Sequence, residues 1–138
     1  MNTKTLNEID FFRIREEVAG YCVSKEGKDS LLAREPLKKT EEIEKLKNIS
    51  REWGLYLSAT HKNPLSAWEP VKPLIPVIKA NGSSLTLEQV RSLGQFALSL
   101  KNVKQGIENH KINLELKLLP EQTELLPDFS DTERKIFH

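Results

Sequence analysis

An all-α, multi-helix bundle is the fold this sequence predicts, and three observations carry the prediction. Apolar residues recur at helical spacing through most of the chain, as in the run from Phe11 to Tyr21. Helix-start signals, a serine, threonine or aspartate ahead of an acidic or amide-bearing first turn, appear again and again. Proline and Asn-Gly punctuation then separates the periodic stretches. The chain has 138 residues, the size of one ordinary domain, and is read as a single helical domain over residues 1–138.

The organising stretch is Phe11 to Pro36. Phe11, Ile14, Val18 and Tyr21 share one face of a helix, with Arg13, Arg15, Glu16 and Glu17 on the other. Asp10 is the expected N-cap of that helix. Ser24 caps a second helix, with Glu26 near its positive end, Leu31 and Leu32 on its buried side and Pro36 as its stop. Gly27 stands inside this second helix, where a glycine usually marks the close approach of another backbone, so a tight helix crossing is expected there.

Thr40 reads as the cap of a third helix of about twenty residues, with Ile43, Leu46, Ile49, Trp53, Tyr56 and Leu57 along its apolar side. Asn63-Pro64 closes it. In residues 68–82 the prolines 70, 73 and 76 recur at every third position, and the apolar residues between them favour a short proline-kinked helix packed on the bundle, ended by Asn81-Gly82. The clearest start signal follows. Thr86 and Gln89 make a capping box, Leu85 and Val90 a hydrophobic staple, and a long stripe runs through Leu93, Ala97, Leu100, Lys104 and Ile107. Gly94 on that stripe would allow close packing, whereas Gly106 reads as fraying near the end. In the leucine-rich tail, Pro120 and Pro127 are breaks, and Ser130 to Glu133 is a second capping box. A helix announced so near the last residue suggests that the chain is a piece of something longer.

Composition excludes several function classes. With 38% hydrophobic and 30% charged residues the chain is too apolar for disorder, and no apolar run is long enough to span a bilayer, so no membrane partner is expected. Glu8 and Asp10 interrupt any signal-peptide stretch, and the single Cys22 has no internal disulfide partner, so a cytoplasmic location is expected. The net charge of +1 offers no global field for nucleic acid. Residues 61–108 hold 6 basic and 3 acidic groups, a local excess better read as a solvated helix face.

The search for chemistry finds no active site. The glycines never cluster into a phosphate loop. His61, His110 and His138 lie far apart in the chain, without metal-ligand spacing. Cys22 beside the stripe reads as a structural thiol, and Trp53, on a helical stripe, as core; Trp68 is the other indole able to stack on a base. No catalytic, cofactor-binding or metal residue is assigned, and no nucleic-acid-binding residue is named.

The order of residues does resemble a known family. The run Leu6, Ile9, Phe11, Ile14-Arg15, Tyr21, Ser24, Gly27-Lys28, Leu31, Glu35-Pro36 resembles the opening of the second bacterial MutS family (MutS type two). Thr40, Glu42-Ile43-Glu44, then Pro64-Leu65, Val71-Lys72-Pro73-Leu74, Asn81-Gly82, Leu85-Thr86 and Glu88, and finally Leu125-Leu126-Pro127 with Ser130 to Ile136, keep the family's order across nearly the whole chain. Ala67-Trp68 and Pro76 depart from it. The resemblance implies a helical core segment like the core and lever part of MutS proteins, a scaffold of a nucleic-acid clamp. It implies a full-length ATPase using ATP and Mg, often with a nuclease domain, both lying outside these residues. It further implies double-stranded or branched DNA and the ribosome as partners, and a homodimer formed through other domains. A helical protein–protein interaction module without a nucleic-acid role is the alternative.

Overall fold

The computed structural model describes residues 2–138, and its regular structure is helical: eight α-helices with a short 3₁₀ turn and no strand among the described residues. They are α1 (Thr3–Glu8), α2 (Phe11–Ala19), α3 (Lys25–Leu32), α4 (Thr40–Thr60), α5 (Ile75–Lys79), α6 (Leu87–His110), α7 (Leu118–Glu124) and α8 (Ser130–Phe137). The 3₁₀ turn Lys72–Leu74 leads into α5. No helix is long and apolar enough to cross a membrane among the described residues.

Two long helices frame the molecule. The 24 residues of α6 start at Thr86, whose hydroxyl accepts the Gln89 N–H while the Gln89 side chain accepts the Thr86 N–H, the expected capping box. The 21 residues of α4 begin without a side-chain cap: Lys39 holds the cap position and Thr40 is already helical. Leu119 and Leu116 from the α7 region fill the space between the two long helices, joining Tyr56 of α4 with Val103 and Ile107 of α6 in the main core cluster. Ile107, fully buried, is its centre. Trp53 stacks on Tyr56 at 5.6 Å between ring centroids, at the edge of that core.

The two glycines of α6 are both packing positions. A Cβ on Gly94 would lie 2.7 Å from side-chain atoms of Ile136 and Phe137, so α8 seats on α6 where the glycine leaves room. A Cβ on Gly106 would run into the Tyr56 hydroxyl and sit 3.3 Å from Tyr56 Cζ. Gly106 is therefore a socket for a tyrosine from α4, and the expectation of fraying there is overturned. Gly27 shows the reverse. It is exposed, and a Cβ there would meet only the Ser24 hydroxyl, so α3 makes no close crossing at that point.

The N-terminal helices also depart from expectation. A first helix, α1, precedes the expected one, capped by Asn2 Oδ1 accepting the Thr5 N–H at 2.9 Å. Asp10 then takes a left-handed conformation (φ 56°) that turns the chain into α2, and its carboxylate faces Arg13 instead of capping. Most significantly, α2 is rotated from the expected orientation. Ala19 is buried and Phe11, Phe12 and Arg15 are half-buried, while Ile14, Val18 and Tyr21 stand 51%, 49% and 88% exposed. α3 ends at Leu32, before the proline at 36, and Ser24 caps it as expected, accepting the Gly27 N–H at 3.0 Å.

The proline-rich segment forms a short helix entered through the 3₁₀ turn. It ends at Ala80, which is extended, so Asn81-Gly82 is not its left-handed cap. Gly82 (φ 77°) instead serves the following turn, closed by the Ser83 N–H on the Ala80 carbonyl at 3.3 Å. At the far end, Ser130 to Glu133 is not a capping box. Asp128 Oδ1 accepts the Ser130 N–H and hydroxyl, and Glu133 is buried in an ion pair with Lys101 Nζ at 2.8 Å. That pair ties α8 to α6.

Candidate functional site

Two glutamates do the most specific polar work in the fold. Glu26, in the first turn of α3, reaches the proline-rich segment: its carboxylate accepts the Val71 N–H at 2.7 Å, the Lys72 N–H at 2.9 Å and the Trp68 indole N–H at 3.2 Å. Burial pushes its pKa up, but these donors outweigh burial and hold it below the ordinary glutamate range. Glu52 on α4 plays the same part for α7, accepting the N–H groups of Lys117, Leu118 and Leu119 at 3.0, 3.1 and 2.8 Å. Burial again raises its pKa and the three donors bring it down overall. Both carboxylates satisfy amides of a remote turn, each accepting three fixed donors on about four acceptor sites, which is structural chemistry.

The expected basic region is partly spent in the same way. Lys101 pairs with Glu133, and Lys104 Nζ donates to the Leu126 carbonyl at 3.1 Å. Lys62, Lys72, Lys79 and Arg91 are exposed on different elements. Ser99, fully buried on α6, uses its hydroxyl on the backbone of Ser66, accepting the N–H at 3.0 Å and donating to the carbonyl at 3.1 Å, which pins the 61–70 connection to α6. Trp68 lies between Glu26 and the edge of the Phe96 ring, half-buried, so neither indole is a free stacking platform.

The histidines stay apart. His61 is the left-handed end residue of α4, His110 Nδ1 lies 2.8 Å from the Gly106 carbonyl with its ring edge-on to Tyr56, and His138 approaches Glu133 at 4.0 Å. Cys22 is half-buried. Among the described residues no group of three or more His, Cys, Asp or Glu is placed to hold a metal ion.

Two features are equipped to bind rather than to react. One is the uncovered apolar strip Ile14–Val18–Tyr21 on α2. The other is a cavity of about 310 Å³ where α1, α2 and the connection after α3 meet, with Phe11, Phe12 and Arg15 in its wall. The Arg15 guanidinium lies 5.5 and 5.2 Å from the centroids of the Phe11 and Phe12 rings and donates to the Arg34 carbonyl at 2.9 Å. Sequence reasoning put Arg15 on the solvent face and missed this; the adjacent aromatic pair Phe11-Phe12, three and four residues before an arginine, is the signal that could have found it.

No protein-family model, no curated protein and no solved structure matches the chain.

Proposed function

We propose that this chain is the N-terminal helical core segment of a MutS-like DNA-binding ATPase, a scaffold and lever of a nucleic-acid clamp that acts in control of recombination and repair and in rescue of collided ribosomes. The observation that carries the reading is the ordered series of signature residues from Leu6 to Ile136. Several of them have fold-defining positions: Ser24 caps α3, Pro73-Leu74 leads into α5, Gly82 takes the left-handed position of the turn after α5, and Leu85-Thr86 opens α6. The side-chain arrangement suits a transmitting role. The carboxylates of Glu26, Glu52 and Glu133 are committed to joints between elements, which favours a stiff body over a catalytic one. ATP and Mg would then be held, and any nuclease chemistry performed, by domains beyond these residues, and a homodimer would form through them.

The test is the whole reading frame. A phosphate loop of the GxxxxGK[ST] type downstream in the same frame, with ATP hydrolysis by the encoded protein that responds to branched DNA, is the expected result. A complete frame without such a loop overturns the reading. For the present chain alone, DNA binding should be weak and confined to low salt, because its net charge is only +1 and its exposed cations are spread over different elements.

A second reading, a helical protein-interaction module, is favoured by one observation: the exposed strip Ile14–Val18–Tyr21, flanked on α2 by Arg13 bridging Asp10 and Glu17. Retention of that strip on a protein with no ATPase domain would select it.

A further inference from the structure

We propose that the cleft between α1, α2 and the Arg34–Lys38 connection is a docking groove for an extended acidic peptide segment of a partner protein. One apolar side chain of the peptide enters the cavity and its carboxylates meet Arg15 and Lys38.

The walls argue for both halves of that chemistry. Leu6, Phe11, Phe12 and Pro36 give the cavity an apolar lining, and its volume of about 310 Å³ holds one leucine or phenylalanine side chain with its backbone. Arg15 and Lys38 line the same cavity against a single carboxylate, Glu35, so the balance of charge is positive. Arg15 is already ordered. Its guanidinium is held over two rings and by the Arg34 carbonyl, and its Nε is enclosed without a hydrogen-bond partner among the described residues. Nη1 is engaged by the Arg34 carbonyl and Nε is enclosed, which leaves Nη2, on a guanidinium already held in place, as the donor for a carboxylate. Lys38 makes no ion pair among the described residues, although the neighbouring Lys39 pairs with Glu42.

The backbone adds the argument for an extended occupant. Residues 34–39 have no regular structure, and the N–H groups of Glu35, Leu37 and Lys38 donate to nothing among the described residues. An extended peptide lying along this segment satisfies them as an added strand does, with side chains alternating between cavity and solvent. A free inorganic anion would leave the apolar walls unused, and a nucleic acid would leave the cavity between Phe11, Phe12 and Pro36 unfilled. The inference does not rest on the MutS-like reading, and either can fail alone.

The test is a titration of the ¹⁵N-labelled 138-residue chain with acetyl-Glu-Asp-Leu-Phe-Asp-Glu-amide, followed by amide chemical shifts. The expected result is saturable shifts at Leu6, Arg15, Leu37 and Lys38, with a dissociation constant on the order of 10⁻⁵–10⁻³ M, as suits one short segment. Lys38→Glu, an exposed change that leaves the fold intact, should weaken binding by roughly fivefold or more, and added salt should weaken it in the parent. Arg15→Gln, checked for folding by its own spectrum, should weaken it further. The proposal is overturned if the lysine-flanked peptide acetyl-Lys-Lys-Leu-Phe-Lys-Lys-amide binds as tightly, if the shifts map elsewhere, if a thymidine octanucleotide takes the groove in the peptide's place, if dilution shows the groove closed by a second copy, or if millimolar peptide moves nothing.

Discussion

Replacing Glu52 by alanine should loosen the junction between α4 and α7 more than any other polar substitution on α4. Its carboxylate receives three backbone N–H groups, those of Lys117, Leu118 and Leu119, at 3.0, 3.1 and 2.8 Å. Hydrogen bonds to a charged group contribute about 1.5–3 kcal/mol each in favourable sites. The Lys117 amide is exposed and the Leu118 amide half-buried, so water replaces the carboxylate wholly or in part at both, and only the Leu119 bond counts in full. A loss of about 2–3 kcal/mol is expected, a sizeable share of the 5–15 kcal/mol that holds a typical domain. Glu52→Gln keeps one acceptor oxygen and should lose about half as much. Urea unfolding followed by far-ultraviolet circular dichroism and by tryptophan fluorescence measures both, and the two probes should move together. The pH dependence supplies a second check. The native pKa of Glu52 is depressed, so its contribution is complete above the ordinary glutamate value of about 4.3 and is lost as pH falls below that value through the native one. The alanine variant should therefore lose less stability on acidification than the parent. An alanine variant within about 0.5 kcal/mol of the parent would refute the reasoning, since ordinary surface changes stay in that range.

Three further outcomes are expected. Gly106→Ala should destabilise by about 1–3 kcal/mol through collision with Tyr56, and adding Tyr56→Phe should recover part of the loss in a double-mutant cycle of urea melts. Gly27→Ala, by contrast, should stay within about 1 kcal/mol of the parent, because only the Ser24 hydroxyl lies near. Ile107→Ala should cost about 2–5 kcal/mol, whereas Tyr21→Ala should leave the melting temperature nearly unchanged; equal effects would refute an exposed Tyr21.

Much of the fold was legible in the sequence because its signals are local. Thr86 with Gln89, Ser24 with the Gly27 amide, and Asn81-Gly82 each complete their interaction within a few residues, so spacing alone reveals them. What could not be read depends on partners distant in the chain. Periodicity established that α2 is amphipathic, but its apolar arc is wider than one neighbour can cover. α1 and α3 took the side with Phe12, Arg15 and Ala19 and left Ile14, Val18 and Tyr21 in solvent. Glu26 and Glu52 looked like two more surface acids, since nothing beside them announces amides 42–46 or 65–67 residues away. Ser130 to Glu133 had the right letters for a capping box, but the half-buried Lys101 offered Glu133 a stronger partner than a backbone amide. The cavity beside Arg15 was invisible for the same reason: one wall comes from residues 33–38, whose path depends on the α3–α4 connection.

The seat of Tyr56 in Gly106 has a mechanical consequence. One helical turn from Gly106 in either direction stand Asn102 and His110, whose side chains would fill the socket, so α4 cannot slide along α6 to an alternative register. The peg itself is a single ring, and the space around it is filled by leucines of a third element, Leu116 and Leu119. The two long helices therefore meet at this one seat and otherwise through α7, which packs on both, so the position of α4 on α6 is set by a single ring and a shared wedge of leucines.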